Sequence, residues 1–180
     1  MKIQQYLLVL LEVLFPYMLN ADITEDIHFS HIGLEEGLSH STIFAINQDK
    51  GGNLWFATYD GVNKYDGYNF TVYRHQYTHP NSIASDISRC ITMDDSDRIW
   101  IGTREGLSLY NHYKDEFSNY YYKRNGLNVA VTSIIPIKKD WLMLGTAEGI
   151  LLFDVQKVFP FGYIILFFAW IAAGSFGTSG

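Results

Sequence analysis

A short segment occurs three times in this chain and restricts it to a repeat architecture. It spans residues 54–62, 99–107 and 142–150, and its threonines, Thr58, Thr103 and Thr146, follow one another at intervals of 45 and 43 residues. Repeats of this length are typical of solenoids, propellers and arrays. Because one such unit cannot bury its apolar face alone, neighbouring units are expected to pack against each other.

Each repeat has the composition of a strand, a tight turn and a second strand. A glycine closes each turn, where hairpin loops need a positive φ. Alternation along the first strand places the tryptophan on one face and the threonine on the other. We take nine residues as the structural signature of the repeat: Trp55, Thr58, Gly61, Trp100, Thr103, Gly106, Trp141, Thr146 and Gly149.

The third repeat departs from the pattern at its tryptophan. Met143 stands where the first two repeats have Trp55 and Trp100, and Trp141 lies two residues earlier. A shift of two residues keeps a side chain on the same face of a strand. We therefore expect Trp141 to occupy the same layer from a neighbouring position, with flexible Met143 filling the gap.

Further apolar strands flank each repeat, which gives four short strands per unit, the composition of a propeller blade. Residues 38–154 lack the sustained three-to-four periodicity of helices. The sequence predicts an all-β partial β-propeller with an N-terminal signal or anchor helix and an apolar C-terminal tail. Its blades are residues 38–82 and 83–126, both complete, and a partial third blade, residues 127–157.

The residues of the first two units are similar to a known family. The pattern runs through residues 46–49 and 52–67 to Phe70 and Tyr73, and recurs at 91–94 and 98–107; residues 37–43 look like the approach to its first blade. It resembles the two-component regulator propeller repeat, and the resemblance covers about residues 28–154.

That resemblance implies a periplasmic sensor role in a hybrid histidine kinase. In such proteins the blades precede a membrane helix and a kinase core, and the ligands are typically oligosaccharides. The implied partners are therefore an oligosaccharide or other small ligand, the downstream blades and kinase domains of a longer parent, and a second parent copy in a homodimer. No kinase core is present in this sequence, so the chain itself is expected not to be an enzyme.

The N-terminal segment indicates export. Residues 1–21 combine Lys2, an apolar run and a small residue before Asp22, as in a secretory signal peptide or an uncleaved anchor. We expect a periplasmic location, free or anchored to the inner membrane. Residues 22–37 are interpreted as a lead-in strand, within which residues 27–32 would close the ring onto a last blade.

The C-terminal segment, residues 158–180, contains no charged residue. One interpretation is a transmembrane helix, near the lower length limit for a membrane span. The other is a truncated or frame-shifted product, since the basic residues that flank a cytoplasmic anchor are missing after Ala173.

Composition excludes several functions. An excess of acidic residues, 19 against 13 basic, argues against a nucleic-acid partner. No motif for a nucleophile, a phosphate loop or a zinc site is present, so we expect neither cofactor nor metal. The aspartates of residues 94–97 are interpreted as a solvated turn, and the repeated acids Asp60, Glu105 and Glu148 as turn chemistry.

Two alternatives to the sensor remain open at this point. An exported propeller enzyme, such as a lyase or glycosidase, would need acidic or histidine residues unique to one blade. A ring-forming interaction scaffold would need no small ligand. The tyrosines of residues 120–122 could stack on sugar rings, and Cys90 is expected to behave as a small buried hydrophobe.

Overall fold

The structure is a computed structural model that describes residues 28–138 and 140–156, with only the backbone at Lys138. Within these residues, regular structure consists of one 3-10 turn, Leu34–Glu36, and β-strands. The strands are β1 Ile43–Gln48, β2 Leu54–Thr58, β3 Val62–Tyr65, β4 Phe70–Tyr73, β5 Ser88–Met93, β6 Ile99–Thr103, β7 Gly106–Asn111, β8 Glu116–Tyr120, β9 Lys123–Arg124, β10 Leu127–Asn128, β11 Val131–Lys138, β12 Trp141–Thr146 and β13 Gly149–Asp154.

The strands form antiparallel sheets that follow chain order. The first sheet has the order β1-β2-β3-β4, the second β5-β6-β7-β8, and the third β11-β12-β13; β9 and β10 form a separate hairpin. The predicted all-β class, with two four-stranded blades and part of a third, is confirmed. The predicted signal or anchor segment and the apolar tail lie outside the described residues, and none of the described helical segments is long and apolar enough to span a bilayer.

The first strand of each sheet is the innermost one. β1 lies beside β5, and β5 lies beside β11. The sheets therefore pack face to face like neighbouring blades, with successive hairpins leading outwards from the inner strands.

The first two blades share a core. Trp55 and Ala57 of β2 and Val62 of β3 pack against the isoleucines of the second blade, including Ile99 and Ile101. Trp55 is only 1% exposed. Burial of each large apolar side chain of this kind contributes about 1.5–3 kcal/mol to folding.

The second and third blades share an equivalent core on the other face of β6. Trp100 lies between Ile99 and Ile101 in sequence, points the opposite way, and packs with Leu142 and Leu144 of β12. Trp55 contacts the rings of Tyr73 and Tyr110, and Trp100 contacts those of Tyr120 and Phe153. The two tryptophans therefore occupy equivalent surroundings.

The expected lead-in strand is not formed in its described part. Residues 28–33 and 37 have no strand, and residues 34–36 form the 3-10 turn. The N–H of Gly33 donates to a carboxylate oxygen of Glu36 at 2.6 Å, and Gly37 has a φ of 109°. This local bonding ends in a left-handed residue and so turns the chain where the sequence predicted an extended one.

One hairpin was not foreseen. β9 pairs with β10 in the linker between the second and third blades. The turn between them is Asn125-Gly126, and both residues have positive φ, 52° and 80°. Asn-Gly is the strongest short hairpin signal, so the sequence did contain the information.

Candidate functional site

Each blade has two edges with different loops. We call the edge that carries the turns of residues 58–61, 103–106 and 146–149 the Thr-Gly edge; the linkers between blades, residues 74–87 and 121–130, reach the same edge. The opposite edge carries the loops after β1, β5 and β11, and we call it the Asp edge. This assignment follows from the antiparallel order of the strands.

The signature threonines close their turns in one common way. Each hydroxyl donates to the carbonyl oxygen of the glycine three residues later, at 2.9, 3.0 and 2.8 Å. Each also accepts a hydrogen bond from the N–H two residues later, at 3.1, 3.2 and 3.1 Å. The threonines therefore hold the backbone of the Thr-Gly edge rather than offering their hydroxyls to a ligand. They are Thr58, Thr103 and Thr146.

The signature glycines allow a close backbone approach. Gly61 has a φ of 90°, and a Cβ there would collide with the carbonyl oxygen of Tyr73. Gly106 has a φ of 147°, and its Cβ would lie 2.5 Å from the carbonyl oxygen of Tyr120. In both blades the turn thus lies directly against the end of the outermost strand.

The signature tryptophans are anchored at the Asp edge. The indole N–H of Trp55 donates to Asp49 at 2.8 Å, and that of Trp100 donates to Asp94 at 2.7 Å. Burial raises the pKa of Asp94, but hydrogen bonds from Trp100 and Arg98 outweigh it and hold the pKa below the ordinary value. The expectation of a solvated turn is wrong for Asp94, which is 6% exposed, although Asp95 is exposed.

Trp141 and Met143 share a face of β12, and Met143 takes the position of the earlier tryptophans. Met143 pairs with Ile135 and Leu152, just as Trp100 pairs with residues of both neighbouring strands. Trp141 lies at the end of β12, opposite Asp154, and is half-buried.

Each of the three repeated turn acids has a hydrogen-bonding partner within the protein. Asp60 forms a bidentate pair with Arg74, with distances of 3.0 and 2.9 Å. Glu148 pairs with Arg124 at 2.6 Å. Glu105 differs, because its partner is the neutral amide of Asn128 at 3.0 Å. The second blade therefore keeps a carboxylate that no cation neutralises by direct contact within the described residues.

A cleft opens on the Thr-Gly edge around the second blade. Its volume is about 460 Å³, and both interblade linkers and the β6–β7 turn contribute to it. The lining residues are His75, Tyr77, Ala84, Ser85, Asp86, Ile87, Arg104, Glu105, Tyr121 and Asn128.

Two tyrosines present their rings at this cleft. Tyr77 is 96% exposed and contacts the ring of His75 edge-on at a centroid distance of 4.8 Å. Tyr121 is 43% exposed, and burial together with the charge of Glu105 raises the pKa of its hydroxyl. Of the run 120–122, Tyr120 and Tyr122 instead pack against the second core, as alternation predicts for side chains at the end of a strand.

Charged groups of both signs complete the cleft. The guanidinium of the exposed residue Arg104 makes no ion pair or hydrogen bond to any described residue. Its backbone N–H donates a hydrogen bond to the carbonyl oxygen of Ile87 at 2.9 Å. The corresponding positions in the other repeats are Tyr59 and Ala147, so Arg104 is specific to this blade.

Sequence reasoning did not single out Tyr77, which lies outside the repeated segments, or Arg104, whose residue type does not recur at its repeated position. Arg104 can be identified from the sequence by a departure from the repeat, because the residue at this turn position differs among the three units. Across the described residues, no group of three or more histidine, cysteine or acidic side chains is arranged to hold a metal ion.

Comparison with known proteins gives consistent matches. The family model described as the two-component regulator propeller matches residues 37–60 and 82–105. A histidine kinase, P4, from Formosa agariphila is 47% identical over 49 residues, which are 27% of this chain and 4% of the relative. The chain thus spans only a small part of that protein.

Two solved structures from B. thetaiotaomicron have a similar fold. One is the extracellular domain of BT3049, assigned to a hybrid two component system, with a TM-score of 0.52 and 23% identity over 71% of this chain and 25% of that one. The other is the extracellular domain of BT4673, assigned to a one component system, with a TM-score of 0.58 and 20% identity over 70% of this chain and 18% of that one.

The family match falls on the same two units whose threonine, glycine and tryptophan contacts are repeated in the structure. Residues 37–60 and 82–105 of this chain are therefore similar to two-component regulator propeller repeats, and they lie within an all-β blade fold.

Proposed function

We propose that this chain is a segment of the extracytoplasmic, ligand-sensing propeller of a two-component histidine kinase and that its ligand is an oligosaccharide. The matching relative is a histidine kinase, and the structural neighbours are extracellular domains of one- and two-component systems. The export signal read in residues 1–21 supports a periplasmic location, free or membrane-anchored.

The proposed binding site is the cleft on the Thr-Gly edge. The observation that carries the proposal is that two exposed tyrosines, Tyr77 and Tyr121, come from different linkers and line the same cleft. Such rings offer flat apolar faces to a sugar ring at low conformational cost. Between the linkers, the free guanidinium of Arg104 can donate hydrogen bonds and the carboxylate of Glu105 can accept them, which matches sugar hydroxyl groups that do both.

A sensor needs a ligand contact that reports on more than one blade. The linker that carries Tyr77 connects the first and second blades, and the linker that carries Tyr121 connects the second and third. A saccharide held between the two would bias the relative positions of three blades. In the longer protein, further blades, a kinase core and a second copy would receive that bias.

A saccharide panel tests this function on the full 180-residue chain. Thermal shift and isothermal titration with neutral and acidic trisaccharides should reveal at least one ligand. Tyr77→Ala should weaken its binding about three- to tenfold, the scale of one lost aromatic contact.

Tyr113→Ala is the matched control. Tyr113 is 97% exposed, like Tyr77, but lies in the β7–β8 turn on the Asp edge. Its replacement should leave binding unchanged. Absence of any saccharide binding, or an equal loss in both variants, would contradict the proposed function.

A further inference from the structure

A recurring irregularity marks the inner strand of every blade. In β1 the pairing with β2 skips Phe44, because Ile43 pairs with Thr58 and Ala45 pairs with Ala57. The same skip occurs at Arg89 in β5 and at Thr132 in β11. Each is a β-bulge, one extra residue opposite the signature threonine.

We call Phe44, Arg89 and Thr132 the bulge row. All three side chains are exposed. By contrast, Ser88, which precedes Arg89, and Val131, which precedes Thr132, are buried. A bulge re-aims a side chain and is over-represented beside functional sites. The backbone of the bulge is repeated in all three blades, but its residue is an aromatic, a cation and a hydroxyl in turn.

The bulged side chains of the first two blades lie next to each other. The guanidinium of Arg89 sits over the ring of Phe44 at 4.9 Å from the centroid. The ring of Phe44 is in turn 6.5 Å from that of Tyr59, which lies in the turn of the first repeat. Phe44 and Arg89 of the row, together with Tyr59, therefore form a continuous surface across the first two inner strands, close to the Thr-Gly edge.

Arg89 is available to a ligand. Apart from the Phe44 ring, it has no ion pair or hydrogen bond with any residue in the described ranges, and the same holds for Arg104. The two arginines flank the same cross-strand pair, Ser88 and Thr103. By contrast, Arg74 and Arg124 on this edge are held by carboxylates.

We infer that the bulge row is a saccharide-contact site in which Arg89 recognises an anionic substituent, a carboxylate or a sulfate, on the sugar. This rests on the proposed function and names its ligand class. A planar guanidinium offers paired N–H donors that match such oxyanions. Phe44 supplies the apolar face for the ring, so the first two blades would contact one sugar unit together.

The test uses trigalacturonate, its carboxyl-reduced neutral counterpart and a sulfated trisaccharide at constant ionic strength, each titrated into the full chain. At least one anionic saccharide should bind about tenfold or more tightly than the neutral one, the scale of a charge-assisted hydrogen bond. The tighter of the two anionic probes identifies the substituent.

Arg89→Gln should remove this preference. Arg89→Lys should keep part of it, because lysine retains the positive charge but lacks the paired N–H donors of the guanidinium. Lys114→Gln, on the Asp edge, makes the same charge change as a control and should keep the full preference. Equal binding of neutral and anionic saccharides to the unaltered chain, or an undiminished preference in Arg89→Gln, overturns the inference but leaves an oligosaccharide sensor intact. Absence of binding to every saccharide overturns both.

Discussion

A buried indole N–H needs an acceptor, since an unpaired polar group in an apolar interface costs about 1–3 kcal/mol. Trp55 and Trp100 find one by the same route, an aspartate six residues earlier at the Asp edge. Asp94 also accepts from the backbone N–H groups of Ser96 and Arg98. One carboxylate therefore shapes its own loop and fixes the tryptophan that fills the next interface.

The Asp94 network should show as a specific acid sensitivity. Its folded-state pKa lies below the ordinary value of 3.8. The stabilisation is therefore present above about pH 4 and is lost as pH falls through the folded-state pKa. Asp94→Asn should lower the free energy of unfolding by about 1–3 kcal/mol at pH 7, with a smaller difference near pH 2, measured by urea denaturation.

Asp95→Asn is the control for this change. It removes the same charge one residue away, from an exposed side chain. Its unfolding free energy should stay close to that of the unaltered chain at both pH values. Equal losses in the two variants at pH 7 would mean that net charge, and not the Asp94 contacts, is responsible.

At the scale of elements, the sequence was informative wherever a pattern recurs. The strands of the first blade follow directly from alternation and from the Asp66-Gly67 turn, whose carboxylate accepts the N–H groups of Tyr68 and Asn69. The bulge at Phe44 could not be foreseen, because a register shift of one residue leaves no mark on composition. Tyr77 was not predicted for a related reason. It lines a cleft formed largely by the two linkers, and their sequences do not repeat from blade to blade.

Two turn glycines of the first blade allow two costs of replacing a glycine to be measured separately: the strain of a positive φ and the collision of an added Cβ with a neighbouring backbone. Gly61 and Gly67 both have positive φ, 90° and 99°, but only Gly61 faces a neighbouring backbone oxygen; Gly67 has open space around it. Gly67→Ala should cost about 1 kcal/mol from φ alone. Gly61→Ala should cost at least about 2 kcal/mol more because the Tyr73 backbone must move.

Denaturant unfolding of the two variants measures this difference, with an unchanged m-value as the check that the same surface is exposed. Similar midpoints for both variants would show that the backbone around Gly61 and Tyr73 can move apart at little cost in free energy. In that case the close approach would not explain the glycine of the repeat.

At the scale of the blades, the middle unit belongs to two cores at once. Ile99 and Ile101 pack towards the first blade, and Trp100 between them packs towards the third. Loss of either neighbour would expose one face of β6. Because interfaces between neighbouring units contribute to the stability of such arrays, and both cores here lie at such interfaces, we expect the described blades to unfold together.

Cys90 provides a probe of that cooperativity, since it is half-buried against the second core and would collide with any side chain added at Gly102. Burial raises the pKa of its thiol from 9.0 to about 12. At pH 8 the folded chain should hold about a thousandfold less thiolate than the unfolded chain and resist alkylation accordingly. As urea is added, labelling should accelerate at the midpoint seen by tryptophan fluorescence.

A Cys90→Ser, Ser96→Cys double variant is the control for this experiment, because it places the thiol in an exposed loop, where it should react at once. Rapid labelling of Cys90 well below the fluorescence midpoint would show that the third blade opens alone, and the shared core would then not couple the blades.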